Sequence, residues 1–79
     1  MFDMAKLPAV SGDEVVRAFS RGGYLPDHQT GSHVILRHRD PPHRRLTVPR
    51  HTHVAKGTLR ALIREAGLSV DAFVELLKG

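Results

Sequence analysis

The residues best equipped for chemistry are histidines and arginines, and they are concentrated. All six histidines lie between His28 and Lys56, with five arginines and one lysine, against a single acid, Asp40. An imidazole takes up or gives a proton near neutral pH, and a guanidinium fork matches a phosphate oxygen pair. A segment built this way suits a phosphodiester. RNA in particular carries its own nucleophile, the 2′-hydroxyl, so cleavage requires that proton to be removed, the phosphorane-like charge stabilised and the departing 5′ oxygen protonated. One placed general base contributes about 10²–10⁴-fold, and fixed cationic donors stabilise the developing charge. His33, in Gly31-Ser32-His33, heads the apolar run Val34-Ile35-Leu36. Spacing alone also allows His33 to be a polar residue at a strand end, and it leaves the second proton-transfer group open between His28 and His51.

Two further clusters carry chemistry of their own. His51-Thr52-His53, with His43 nearby in sequence, has the donor type of a zinc site. These histidines fall in a loop after Pro49 among arginines that repel a cation, so a solvated basic loop is the preferred account and no metal is assigned. Lys56-Gly57-Thr58 opens a helix, where backbone N–H groups and the positive dipole end favour phosphate, and Gly57 or Thr58 serves equally as a cap. Arg60 and Arg64 lie one turn apart on the polar face of that helix, either solvated beside Glu65 or touching RNA.

The elements that must position these residues follow from periodicity. Ser11-Gly12-Asp13-Glu14 reads as a capping box, and Val15, Val16 and Phe19, with Ala18 beside them, give an apolar face to a helix near residues 12–21 that Gly22-Gly23 ends. Tyr24 to Thr30 is a strand that Pro26 restricts to an edge or an irregular stretch. Thr30-Gly31-Ser32 is a turn, His33 to His38 a strand, Asp40 to His43 a loop, and Arg44 to Val48 a third strand stopped by Pro49. Leu59, Leu62, Ile63 and Ala66 recur at helical spacing until Gly67, and Ser69 caps a short last helix with Leu68 and Phe73 as a hydrophobic staple. Strand alternation sends Val34, Leu36, Leu46 and Val48 towards the helices. His33, Ile35, Arg37, Arg39, Arg45 and Thr47 are left on the other face.

At 79 residues, with 41% hydrophobic and 25% charged residues, the chain has the length and composition of one small globular domain. We expect a single domain over residues 1–79, with residues 1–10 as a lead segment. Without cysteine there is neither a disulfide framework nor a thiolate metal site, and no stretch reads as a signal peptide or membrane span, so a cytoplasmic location is expected. The formal charge of +4 makes polyanions the natural partners.

Several of these pieces, taken in order, resemble a known family, the HicA-type mRNA interferase toxins. They are Ser11-Gly12-x-Glu14-Val15, Gly23-Tyr24, Gly31-Ser32-His33, Thr47-Val48-Pro49-x-His51, Lys56-Gly57-Thr58-Leu59-Arg60 and Ala66-Gly67-Leu68. The resemblance runs from Ser11 to Leu77. It implies an α+β fold of the double-stranded-RNA-binding-domain type, αβββα, with a three-stranded antiparallel sheet, helices packed on one face and a short C-terminal helix. It further implies a toxin that cleaves mRNA through a catalytic histidine, here His33, without a metal cofactor, and a HicB-type antitoxin partner. The chain departs from the family's pattern at Val34-Ile35-Leu36, at the loop Asp40-Pro41-Pro42-His43 and at Pro26.

The expected site therefore has His33 as catalyst, with Gly31, Ser32, Arg37, Arg45 and Lys56 on the RNA. The main rival is a non-catalytic RNA-binding module of the same fold. A metal-dependent hydrolase on His43, His51 and His53 and a DNA-binding protein are the others. The last helix, apolar in its first turn, is unlike a recognition helix.

Overall fold

The computed structural model describes residues 7–79; the first six residues of the expected lead segment lie outside the described residues. Six elements follow in the order α1 (Gly12–Arg21), β1 (Tyr24–Thr30), β2 (His33–His38), β3 (Arg45–Pro49), α2 (Lys56–Glu65) and α3 (Val70–Lys78). The arrangement is the expected α+β αβββα one with an additional C-terminal helix. Leu7 and Val10 of the lead segment are buried in the core, and the Val54 N–H donates to the Val10 carbonyl.

Local chemistry accounts for most of the helix ends that frame the sheet. The Ser11 N–H donates to Glu14 Oε1 at 2.8 Å and the Glu14 N–H to Ser11 Oγ at 3.2 Å, the reciprocal capping box read from the sequence. Gly12 is buried at that start, where a Cβ would stand 2.7 Å from the Arg50 Cα. This close backbone approach explains a glycine inside a helix. For α2 the cap is Ala55, with no side-chain hydrogen bond, rather than Gly57 or Thr58. Its C-terminus closes through a Schellman pair, Gly67 N–H to Arg64 and Leu68 N–H to Ile63, with Gly67 at φ 75°. Ser69 caps α3 by accepting from the Ala72 N–H.

The sheet has the order β1-β2-β3, all antiparallel, so β2 is central and the other two strands are edges. As expected, Pro26 marks an irregularity: the register slips between Pro26 and His28, leaving Asp27 in a bulge. Pro49 does not stop β3 but ends it, paired across from His33, which an edge strand tolerates because the missing N–H weakens no interior ladder. Val34, Leu36, Leu46 and Val48 turn inward beneath the helices with Val15, Phe19, Leu59, Leu62, Ile63 and Phe73. Phe19 is the hinge of this core, 5.7 Å edge-on from Tyr24 and 5.1 Å from Phe73 between ring centres.

Candidate functional site

With the helices all on one side, the opposite face of the sheet is open, and the register sorts its side chains into three rows. Nearest the β1–β2 turn stand Thr30, His33 and Pro49; next come His28, Ile35 and Thr47; furthest away are Leu25, Arg37 and Arg45. His33, Arg37 and Arg45 thus share a face as expected. They are not, however, one cluster. Arg37 lies two rows from His33, roughly 13 Å at about 3.3 Å rise per residue. Arg39 falls past the end of β2, its N–H donating to the Gly23 carbonyl, and belongs to none of the rows. Lys56 is exposed at the start of α2, in the helical layer behind the sheet.

His33 owes its position to a two-residue turn. Gly31 takes φ 55°, and Ser32 follows with negative φ, the glycine-first pattern of a type II′ hairpin. No atom lies within 4 Å of where a Gly31 Cβ would stand, so the glycine answers to backbone conformation and not to crowding. The Ser32 carbonyl accepts from the Arg50 N–H at 2.6 Å, which pins the turn to the end of β3. His33 itself is exposed, and among the described residues its ring makes no hydrogen bond.

The middle row contains the feature that periodicity did not place. His28 Nδ1 lies 3.0 Å from Asp27 Oδ2, both side chains being well exposed. That hydrogen bond holds the Asp27 carboxyl below the usual range, helped by the nearby charges of His28, Arg45 and Arg37. Strict alternation from the buried Tyr24 would have turned His28 inward. The bulge at Asp27 reverses the parity and brings His28 opposite Ile35, on the face of His33.

Other basic residues of the central segment turn out to be ties. Arg50 donates from Nε to Asp13 Oδ1 at 2.8 Å and from Nη1 to Gln29 Oε1 at 3.4 Å, joining α1 to β1. Arg44 reaches the Glu65 carbonyl at the end of α2. His38 accepts from the Asp40 N–H at Nδ1, so Nε2 carries the proton and donates to the Gly22 carbonyl, while the ring meets Tyr24 edge-on at 4.7 Å. His51 lines a polar groove of about 280 Å³ with Ser11, Asp13, Gln29, Ser32 and Arg50. His43 stands in the β2–β3 loop at the other end of the sheet from His51 and His53. Among the described residues no three His, Cys, Asp or Glu side chains gather as metal ligands, and no helix is long and apolar enough to cross a membrane.

Fold and site together define a class: a small αβββα domain with its core on one face of the sheet and a histidine- and arginine-bearing surface on the other. Over residues 12–68, from α1 through all three strands to Leu68 after α2, the chain matches the family model described as the HicA toxin of bacterial toxin-antitoxin. The protein belongs to the HicA toxin family and is by that membership a toxin of the toxin–antitoxin kind. No curated protein matches it.

Proposed function

We propose that this toxin is a metal-independent endoribonuclease that cleaves mRNA, with His33 as its catalytic residue and a HicB-type antitoxin as its neutralising partner. It acts in the cytoplasm, as a single HicA-like domain over residues 1–79. The observation that carries this reading is the exposed, unpartnered imidazole of His33 on the open sheet face of a HicA-family domain. His33 takes the 2′-hydroxyl proton as the 2′ oxygen attacks the adjacent phosphorus. Gly31 and Ser32 shape the turn against which the reacting nucleotide lies. Arg37 and Arg45, two rows away, each hold a neighbouring phosphate rather than the scissile one, and Lys56 adds a more distant contact.

The test is His33→Ala. RNA cleavage should fall by about 10²–10⁴-fold, the contribution of a placed general base, and growth inhibition should disappear with the circular dichroism spectrum unchanged. Undiminished cleavage by the folded variant would overturn the assignment and leave a ribonucleic-acid-binding module. Cleavage by the unaltered protein should persist in excess chelator. Activity lost there and restored by a divalent cation would refute metal independence.

A further inference from the structure

Cleavage by His33 alone leaves the departing 5′ oxygen without a proton, and the middle row of the open face holds a group suited to supply it. We infer that His28, held by Asp27, is the general acid of this site; the inference rests on the ribonuclease reading above.

Three observations carry it. His28 pairs with Ile35 and His33 with Thr30, so the two histidines are diagonal neighbours on one face of adjacent strands. Diagonal positions stand roughly 7–8 Å apart. That separation lets two imidazoles reach the attacking and departing sides of one phosphodiester. Second, the Asp27 carboxylate accepts from His28 at Nδ1, 3.0 Å away. With Nδ1–H committed to that bond, Nε2 is the nitrogen that loses and regains a proton, and the ring's orientation is set before substrate arrives. Third, the bulge is what makes this possible. It turns Asp27 out of the ladder and His28 onto the open face, the re-aiming of a side chain for which bulges are used.

His51, the other histidine that the sequence left open for this role, lines a groove with Ser32 and Arg50, and among the described residues no carboxylate holds its ring as Asp27 holds that of His28. Among the described residues the other charged side chains in the rows of the open face are Arg37 and Arg45, which do not give up protons at neutral pH.

The step balances as follows. The 2′ O–H proton passes to His33 as the 2′ oxygen–phosphorus bond forms. The bond from phosphorus to the 5′ oxygen breaks with its electron pair on oxygen, which takes the Nε2 proton of a protonated His28. The products are a 2′,3′-cyclic phosphate and a 5′-hydroxyl, with His33 protonated and His28 neutral. Proton exchange with water restores both. Asp27 remains a carboxylate throughout and is a positioning residue.

A substrate with sulfur in place of the departing 5′ oxygen tests this, because a thiolate leaves without being protonated. His28→Ala should cleave ordinary RNA at least about 10²-fold more slowly than the unaltered protein and should recover most of that loss on the 5′-thio RNA. Asp27→Asn should show a smaller loss, recovered in the same way. His33→Ala should be slow on both substrates. Full activity of His28→Ala on ordinary RNA, or an equal loss on both substrates in a folded variant, would overturn the role of His28 while leaving His33 as catalyst. Full activity of His33→Ala would instead remove the reading beneath it.

Discussion

The two faces of the sheet differ in almost every physical respect, although the same strands supply both. On the inner face Val34, Leu36, Leu46 and Val48 are all buried, Leu36 and Val48 completely. On the outer face, one residue away, Ile35 is half-buried and Arg37, Arg45 and His33 are exposed. Leu25, opposite Arg37, is 56% exposed, a large apolar residue left in the row of the two arginines. The arginines show the same division. Arg21, Arg44 and Arg50 are spent on carbonyl and carboxylate acceptors that join elements, whereas the side chains of Arg37 and Arg45 make no hydrogen bond among the described residues. One face holds the fold together, and on the other only the Asp27–His28 pair is tied among the described charged side chains.

The sharpest way to break that contrast is to truncate neighbours in β2. Leu36→Ala removes a fully buried side chain from the central strand and should lower unfolding free energy by about 2–5 kcal/mol, a large share of what a domain this small possesses. Ile35→Ala, next to it on the open face, should cost no more than about 1 kcal/mol. Urea unfolding followed by circular dichroism gives both numbers. Equal costs would mean that the open face is packed after all, and the division would fail.

The converse substitution acts on the open face alone. Arg37 and Arg45 stand directly opposite each other, a like-charge pair that destabilises the sheet by about 0.2–1 kcal/mol. Replacing both with Gln should therefore leave the fold as stable or slightly more so. Binding to single-stranded RNA should weaken, and the slope of log affinity against log salt should become shallower by about 1.4, from two phosphate contacts at about 0.7 each. An unchanged slope would show that these arginines do not meet phosphate.

Much of this division is legible in the amino-acid sequence, and the part that is not has a common cause. Periods of 2 and 3.6 place the inward residues of β2 and β3, the apolar stripes of α1 and α2, and the capping box at Ser11 and Glu14. They also place His33, because Gly31-Ser32 closes a turn with no freedom of register. Periodicity fails at Asp27, where one extra residue reverses which way His28 points, and the only trace in the sequence is Pro26, which says that the strand is irregular without saying how. It fails as well for Arg44 and Arg50, whose partners Glu65 and Asp13 are distant in sequence and meet them only through the packing of helices on the sheet. The ends of α2 show the same limit: a backbone-only cap at Ala55 leaves no side-chain signature to read.

The smallest expected effect uses two carboxyls, one in each layer. The backbone N–H of Ser11, and then its hydroxyl, hold the Glu14 carboxyl below its ordinary value in the helical layer, and the bond to His28 does so for Asp27 on the open face. A carboxyl whose folded value is depressed contributes stability that is fully present above its unfolded value and is lost as pH falls through the folded one. Acid should therefore weaken the protein below the ordinary carboxylate range through both groups. Glu14→Gln retains a capping side chain but cannot ionise, so its stability near neutral pH should change little while its decline in acid becomes shallower. Asp27→Asn should flatten the decline independently, because the two groups sit on opposite sides of the sheet and share no partner, and distant sites add. Unfolding midpoints measured from pH 7 down to pH 3 in the two single variants and the double variant decide the matter. A double variant no flatter than Glu14→Gln would mean that the Asp27–His28 bond adds nothing to the folded state, leaving positioning of the imidazole as its whole effect.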